Sequence, residues 1–410
     1  MRSPRIRRLL PLSALGLVLA ALALAGCGSD SDAVEGENAV VTKKNAGLID
    51  WPLFGRVPER THYLATEKRL LDPPLKQAWT INTHGLIEFP PVIANGVAYV
   101  VNKFGNASAV RLSDHRIVWR RITDPTNRGK PTDVTAPVYN DGRVFIAFLG
   151  GELIALDAKT GKQDWEVDLE AHLESSPLVV DGTLFLGTDK TDVVALDSSD
   201  GSLRWRFDSP AAIKASASFH DGRVYVADYQ SSVFCLNAKT GKPIWRTNTS
   251  LVPPGGKGGF FSSPAIGFGH VYAARDDGNV YAFDEKTGKV AWAFPTGDFV
   301  YGSPALADVP GTKPSVYIGA ENGTLYVLDA KTGKKDWSYA VGGPIPGTAA
   351  VIGHTVYTSS FKTNTTTGID IGTHRKTFAL RQAGYTPVVS DGKRLYLVGY
   401  FTLVGLESMR

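Results

Sequence analysis

A ten-residue stretch, Leu328-Asp329-Ala330-Lys331-Thr332-Gly333-Lys334-Lys335-Asp336-Trp337, constrains this chain more than any other feature, because the chain repeats it. Versions of it stand at 156–165, 196–205, 236–245 and 283–292, and a shortened copy ends at Trp119. Self-similarity at a period of 40 to 47 residues means one supersecondary unit laid down repeatedly. Each copy reads as strand, tight turn, strand. Leu153 and Ala155 alternate with Ile154 and Leu156, the period of a strand rather than a helix. In the Asp-x-x-Thr-Gly run, Asp or Asn accepts backbone N–H groups and Gly takes the positive φ that other residues resist. The tryptophan then follows at a fixed offset. It sits at the same height in every unit and can dock on the next one, burying on the order of 150–250 Å² of aromatic surface per copy. Trp79, Trp119, Trp165, Trp205, Trp245, Trp292 and Trp337 are therefore read as docking residues between units, with Phe378 as a degenerate eighth.

Between the copies, Asp181-Gly182 and Asp221-Gly222 separate alternating apolar runs, a strong hairpin signal. Four strands per unit result. The C-terminal stretch from Tyr385 to Leu406 offers three strands without a fourth, while 76–82, with Trp79, is a fourth strand without its three. An all-β fold follows: an eight-bladed β-propeller of four-stranded blades, closed by pairing of N- and C-terminal strands. Closure matters, because an open end would expose an unpaired edge and an apolar face.

Composition adds bounds. With 43% hydrophobic and 20% charged residues the chain has ample core, and a net charge of +4 spread over turns offers no basic stripe for nucleic acid. Two cysteines, Cys27 and Cys235, are too few for a disulfide framework. Arg2, Arg5, Arg7 and Arg8 precede an apolar run from Leu9 to Ala25, and Leu24-Ala25-Gly26-Cys27 follows in the pattern of an export signal. The expected division is a lipoprotein signal peptide at 1–26, Cys27 and a polar flexible tether at 27–47, and the propeller at 48–410.

The docking repeats Ala-x-x-Thr-Gly-x-x-x-Trp, the Ser-x-Pro start of each unit and the closure resemble the PQQ-type, or quinoprotein, propeller family over roughly residues 51–410. Leu24-Ala25-Gly26-Cys27 resembles the lipobox of bacterial lipoproteins, which implies lipidation at Cys27. Together these resemble the BamB family of outer-membrane assembly lipoproteins. That resemblance implies an exported, lipid-anchored, monomeric scaffold that binds other envelope proteins, with no catalysis and no cofactor. The alternatives are a PQQ-dependent or vestigial quinoprotein dehydrogenase, and a propeller that binds a small polar or sugar ligand. The quinoprotein enzymes carry an adjacent cysteine pair, which this chain lacks. Cys235 stands where sister repeats have Ala155, Ala195 and Ala282, and reads as a small core residue.

Alignment of the units on Ser-x-Pro places Glu88, Val134, Glu174, Lys214, Phe261, Tyr301, Pro346 and Gly384 at one level of the ring. Glu88, Glu174, Lys214, Phe261 and Tyr301 form the candidate funnel, with Glu174 and Lys214 paired and the two aromatic residues across from them. Two long connections, 123–131 and the Gly/Pro-rich 251–260, are candidate partner-contact loops. No hydrolase elbow, zinc helix or phosphate loop is present. His84, His172, His220 and His354 lack ligand spacing, and Asp276-Asp277-Gly278-Asn279 lacks the rest of a calcium set, so no metal site is expected.

Overall fold

Apolar runs set between polar turns become strands buried on both faces wherever two sheets sandwich them. Thr183–Gly187 is buried along its whole length, whereas Leu203–Asp208 alternates between exposed and half-buried. The first lies in the middle of a sheet and the second at its outer edge. The computed structural model describes residues 5–7, 40–122, 133–381 and 388–409. Cys27, Gly384 and the 123–131 connection lie outside the described residues.

The chain is an all-β propeller of four-stranded blades. Seven sheets are each built from four consecutive antiparallel strands, at 92–122, 138–168, 178–208, 218–248, 265–295, 305–340 and 350–381, the first to seventh sheets below. A composite sheet takes Val389–Ser390, Leu395–Gly399 and Thr402–Ser408 from the C-terminal stretch and Leu75–Asn82 from the N-terminal stretch. Leu75–Asn82 pairs antiparallel with Thr402–Ser408, from Asn82 opposite Thr402 to Leu75 opposite Ser408. Arg5–Arg7 pairs along the outer edge of the second sheet. Among the described residues, one short 3₁₀ turn, Thr249–Leu251, is the only helical element.

The docking repeat works as follows. Trp119, Trp165, Trp205, Trp245 and Trp292 each donate their indole N–H to a carbonyl in the next sheet's turn: Ala158, Ser198, Ala238, Glu285 and Ala330, at 2.9–3.1 Å. The indole lies against the turn glycine: a Cβ on Gly161 would come within 2.6 Å of Trp119. The residue paired with each tryptophan across the sheet is small, which accounts for Ala155, Ala195 and Cys235 opposite Trp165, Trp205 and Trp245. Two turns hold histidine in the glycine's place, and there the indole packs on imidazole, tilted in the first case and stacked in the second. Trp79 meets His115 at 4.8 Å and Trp337 meets His374 at 4.5 Å.

A second seam runs inside the ring. The N–H groups of Ala136, Ser176, Ser216, Ser263 and Ser303 each donate to the hydroxyl of Ser176, Ser216, Ser263, Ser303 and Thr348 on the next unit, at 2.9–3.1 Å. This is the physical content of the Ser-bearing unit starts.

The segment between Trp51 and Thr66 has a role the repeats do not announce. It runs inside the ring, and its carbonyls take N–H groups from the innermost strands of the second, fourth, fifth, sixth and seventh sheets. Pro52 accepts from Tyr139, Pro58 from Phe219, Glu59 from Ile266, Thr61 from Leu306 and His62 from Val351. Tyr63–Thr66 then pairs parallel to Ala350–Ile352. Each such bond contributes about 1 kcal/mol net, so the segment is a plug that belongs to the fold.

Candidate functional site

Antiparallel order puts the turns that follow the first and third strands at one end of the ring, here the turn end. The remaining turns and the links between sheets gather at the other, the link end. A cavity of about 290 Å³ opens at the link end, lined by Phe54, Phe89, Pro90, Phe261, Tyr301 and Pro346 among apolar groups and by Glu88, Glu174 and Lys214 among charged ones. The hydroxyl seam, Ser176, Ser216, Ser263, Ser303 and Thr348, forms its lower wall. The plug closes it from beneath through Phe54, so the channel is blind.

Glu88, Glu174, Lys214, Phe261 and Tyr301 all line this cavity, with Pro346. Val134 lies beside it in an adjoining pocket that shares Glu88, Phe89 and Glu174. The Lys214 ammonium lies 2.9 Å from a Glu174 carboxylate oxygen. It also sits 4.9 Å from the centre of the Tyr229 ring and 5.4 Å from that of Phe261. Phe261 thus stands beside Lys214 and Tyr301 beside Phe261, neither across from the Glu174–Lys214 pair, because the three follow one another on successive sheets. Tyr229, Phe261, Tyr301 and Phe299 form one continuous run of ring contacts, with centroids 4.9, 5.6 and 6.3 Å apart. Glu88 bonds Lys103 at 2.8 Å, and Asp133 adds a contact at 3.1 Å. The hydrogen bond to Glu88 leads in holding Lys103 above its ordinary value.

Below Phe54 lie two residues that pattern reading missed. Arg60 is fully buried, and its guanidinium donates to the carbonyls of Ala217 at 2.6 Å and Phe54 at 2.5 Å. Burial lowers it to about 9. His62 is also fully buried, packs edge-on to Phe54 at 4.8 Å, and neither ring nitrogen has a hydrogen-bond partner. Burial first, and then the Arg60 charge, lower it to about 3, so it is neutral. Their sole sequence signal is position: they fall in the segment before the first complete unit, which has no repeat partner to align with.

The 251–260 connection is pinned. Arg275, fully buried, donates to Thr249 Oγ1 at 2.9 Å, to the carbonyls of Gly255 and Gly256, and to Asp277. Asp276 and Asp277 are thereby turn residues: Asp276 accepts from Gly259 N at 2.9 Å and Asp277 from Arg275. Leu251 at the tip is 83% exposed.

A quinone cofactor of the PQQ type, which the family resemblance raises, has three acid groups and works with a metal ion. The funnel lining offers one ammonium, already held by Glu174, and a second carboxylate, Glu88. Among the described residues no group of three or more His, Cys, Asp or Glu is placed to hold a metal. Cys235 is buried in the fourth sheet, and burial pushes its thiol up to about 11. The residues present do not fit that tri-acid cofactor with its metal. They fit a flat ring compound with one acid or carbonyl group.

A family profile described as outer membrane protein assembly factor BamB matches residues 103–216 and 190–400. The chain is 29% identical over 178 residues to a quinohemoprotein alcohol dehydrogenase of Pseudomonas putida, a match of 40% of this chain and 24% of that relative. The matched part is thus under a third of the relative's length. Among solved structures, a quinohemoprotein alcohol dehydrogenase from Comamonas testosteroni superimposes with a TM-score of 0.73 at 16% identity, over 89% of this chain and 81% of that one. BamB from Moraxella catarrhalis does so with a TM-score of 0.66 at 17% identity, over 82% and 99%. At those identities the structural likeness concerns the fold. The sequence relative is named as an enzyme, and it overturns the expectation of a chain without catalytic activity, which rested on the BamB resemblance and on missing cofactor motifs.

Proposed function

The chain belongs to the PQQ-like repeat family described as outer membrane protein assembly factor BamB, and from that premise we propose that its function resides in the blind funnel at the link end. The proposed activity is oxidoreductase chemistry, in which a ring compound with one acid group and a quinone nucleus, held in the funnel, would accept the two electrons and protons an alcohol gives up. The observation that carries the reading is the cavity itself: ring faces at Phe261 and Tyr301, one ammonium at Lys214, and a floor sealed by the plug. A cavity near 300 Å³ with a few convergent polar groups is the size and character of a small-molecule site. Lys214 would orient an acid or carbonyl oxygen, with Glu174 setting the ammonium's position. Phe261 and Tyr301 would take the ring edge-on or offset-stacked. The composite sheet counts as the eighth blade in this reading, because Trp79 on it packs against His115 of the first sheet.

The test is a titration with a naphthoquinone carboxylate followed by ring fluorescence, with dye reduction on added alcohol as a second readout. One-to-one saturable binding that weakens about tenfold or more in Lys214→Ala is expected, from loss of a charge-assisted contact. Absence of saturable binding, or equal affinity in the variant, contradicts the site. Binding without dye reduction would leave the site and remove the dehydrogenase activity.

A second reading concerns protein partners in the cell envelope, as in BamB. Exposed Leu251, Phe299, Tyr301 and Phe401 favour it, because all stand at the link end. Leu251→Asp with Phe299→Ser is expected to reduce crosslinking to envelope proteins without altering Tm; undiminished crosslinking would discard it. Export and lipid attachment at Cys27 belong to the same proposal, and metabolic labelling with a fatty-acid analogue is expected to vanish in Cys27→Ala.

A further inference from the structure

The turn end carries a charge pattern that the funnel does not use. In the second, fourth, fifth and sixth sheets the docking turn presents two exposed lysines, such as Lys159 and Lys162, Lys239 and Lys242, Lys331 and Lys334. The repeat places them at equal height around one end of the ring. Each of these turns also carries acid: Asp157 accepts from the N–H of Thr160 at 2.7 Å and Asp329 from that of Thr332 at 2.8 Å, and both keep their charge. Asp141, Asp181 and Asp221 are exposed in the neighbouring turns, so the lysines and arginines exceed the carboxylates at this end without standing alone. The third sheet breaks the series with Ser199-Asp200-Gly201-Ser202. Arg375 and Lys376 extend it on the seventh.

The N-terminal stretch meets the ring at this same end. Ile49 N donates to the carbonyl of Asp391 at 3.2 Å, and Asp50 accepts from Asn95 N at 3.0 Å, both in turns that follow an innermost strand. Gly47 lies against Lys393, and Lys43 and Lys44 are exposed beside it. The chain thus reaches the ring through a cluster of cations. At the link end acids and bases are mixed: Lys103 pairs with Glu88 and Asp133, Lys214 pairs with Glu174, and Asp298, Glu321 and Lys257 stand among the links.

We infer that the turn end lies against an anionic lipid surface, with the funnel facing away from it. The occupant follows from two independent facts: charge complementarity, and the exit of the N-terminal stretch on the basic end. Each lysine close to an anionic bilayer raises partitioning about fivefold, an effect confined to roughly a Debye length, about 8 Å in physiological salt. A flat ring of turns can bring many lysines within that distance at once. The inference does not depend on what the funnel binds.

The test uses the full chain purified from its native envelope, placed on phosphatidylcholine vesicles with or without phosphatidylglycerol. Lysine acetylation is followed by mass spectrometry. On anionic vesicles, acetylation of Lys239, Lys242, Lys331 and Lys334 is expected to slow about fivefold relative to Lys257 at the link end. On neutral vesicles the ratio is expected to stay near that in solution. In the variant Lys239→Glu/Lys242→Glu/Lys331→Glu/Lys334→Glu, the slowing at Lys159 and Lys162 is expected to disappear. Equal slowing at both ends, slowing confined to Lys257, or protection that survives the four substitutions would overturn the inference. Recovery with neutral vesicles reports the lipid anchor separately.

Discussion

Gly241 has φ of 68°, and a Cβ there would come within 2.6 Å of Trp205; Gly222 has nearly the same φ, 71°, with nothing within 4 Å. The pair separates backbone strain from docking. Gly222→Ala is expected to cost about 1 kcal/mol, the strain alone. Gly241→Ala is expected to cost about 2–4 kcal/mol, because the indole must also move. Denaturant midpoints measure both, and equal costs would mean that the indole does not rest on the turn. His62 gives a second residue-scale prediction. Its folded value is about 3 and its ordinary value 6.5. Above pH 6.5 both folded and unfolded chains hold it neutral, and it adds no pH dependence. As pH falls below 6.5 the unfolded chain takes up the proton and the folded one does not. Stability should then decline by about 1.4 kcal/mol per pH unit until about pH 3. His62→Gln is expected to flatten that portion of the curve, and an unchanged slope would mean that His62 protonates in place.

The elements differ in how legible they were. Strands, turns and docking tryptophans could be read because each recurs, so an error in one copy is corrected by the others. Glu174 and Lys214 could be placed side by side for the same reason: alignment of unit starts is alignment of heights in the ring. The plug could not be read. Trp51 to Thr66 is a single copy, and its bonds run from its carbonyls to strands up to hundreds of residues away, which leave no periodic trace. The histidines in the glycine position of two turns hid as irregular copies, although packing against an indole explains both. The Gly/Pro-rich connection reads as loose, yet Arg275 fastens it. Arg275→Met is expected to open 251–258 to limited proteolysis at least tenfold faster, while the rest of the ring stays resistant; the resistance follows the local opening free energy. Unchanged cleavage would show that the connection holds its place without Arg275.

At the scale of the whole molecule, the ring has two ends with different chemistry. One is a blind funnel with ring faces and a single engaged ammonium, and the other is a basic surface that receives the N-terminal stretch. That division comes from antiparallel order, which sends docking turns one way and sheet-to-sheet links the other. Missing cofactor motifs do not by themselves decide activity, since a site can differ from its relatives' sites without being idle. A crystal structure of the chain saturated with the naphthoquinone carboxylate tests the central claim most directly. The account predicts density for the ring beside Phe261 and Tyr301 with the acid group against Lys214, above an unmoved Phe54. Density at the turn end, or a funnel left empty at saturation, would contradict it.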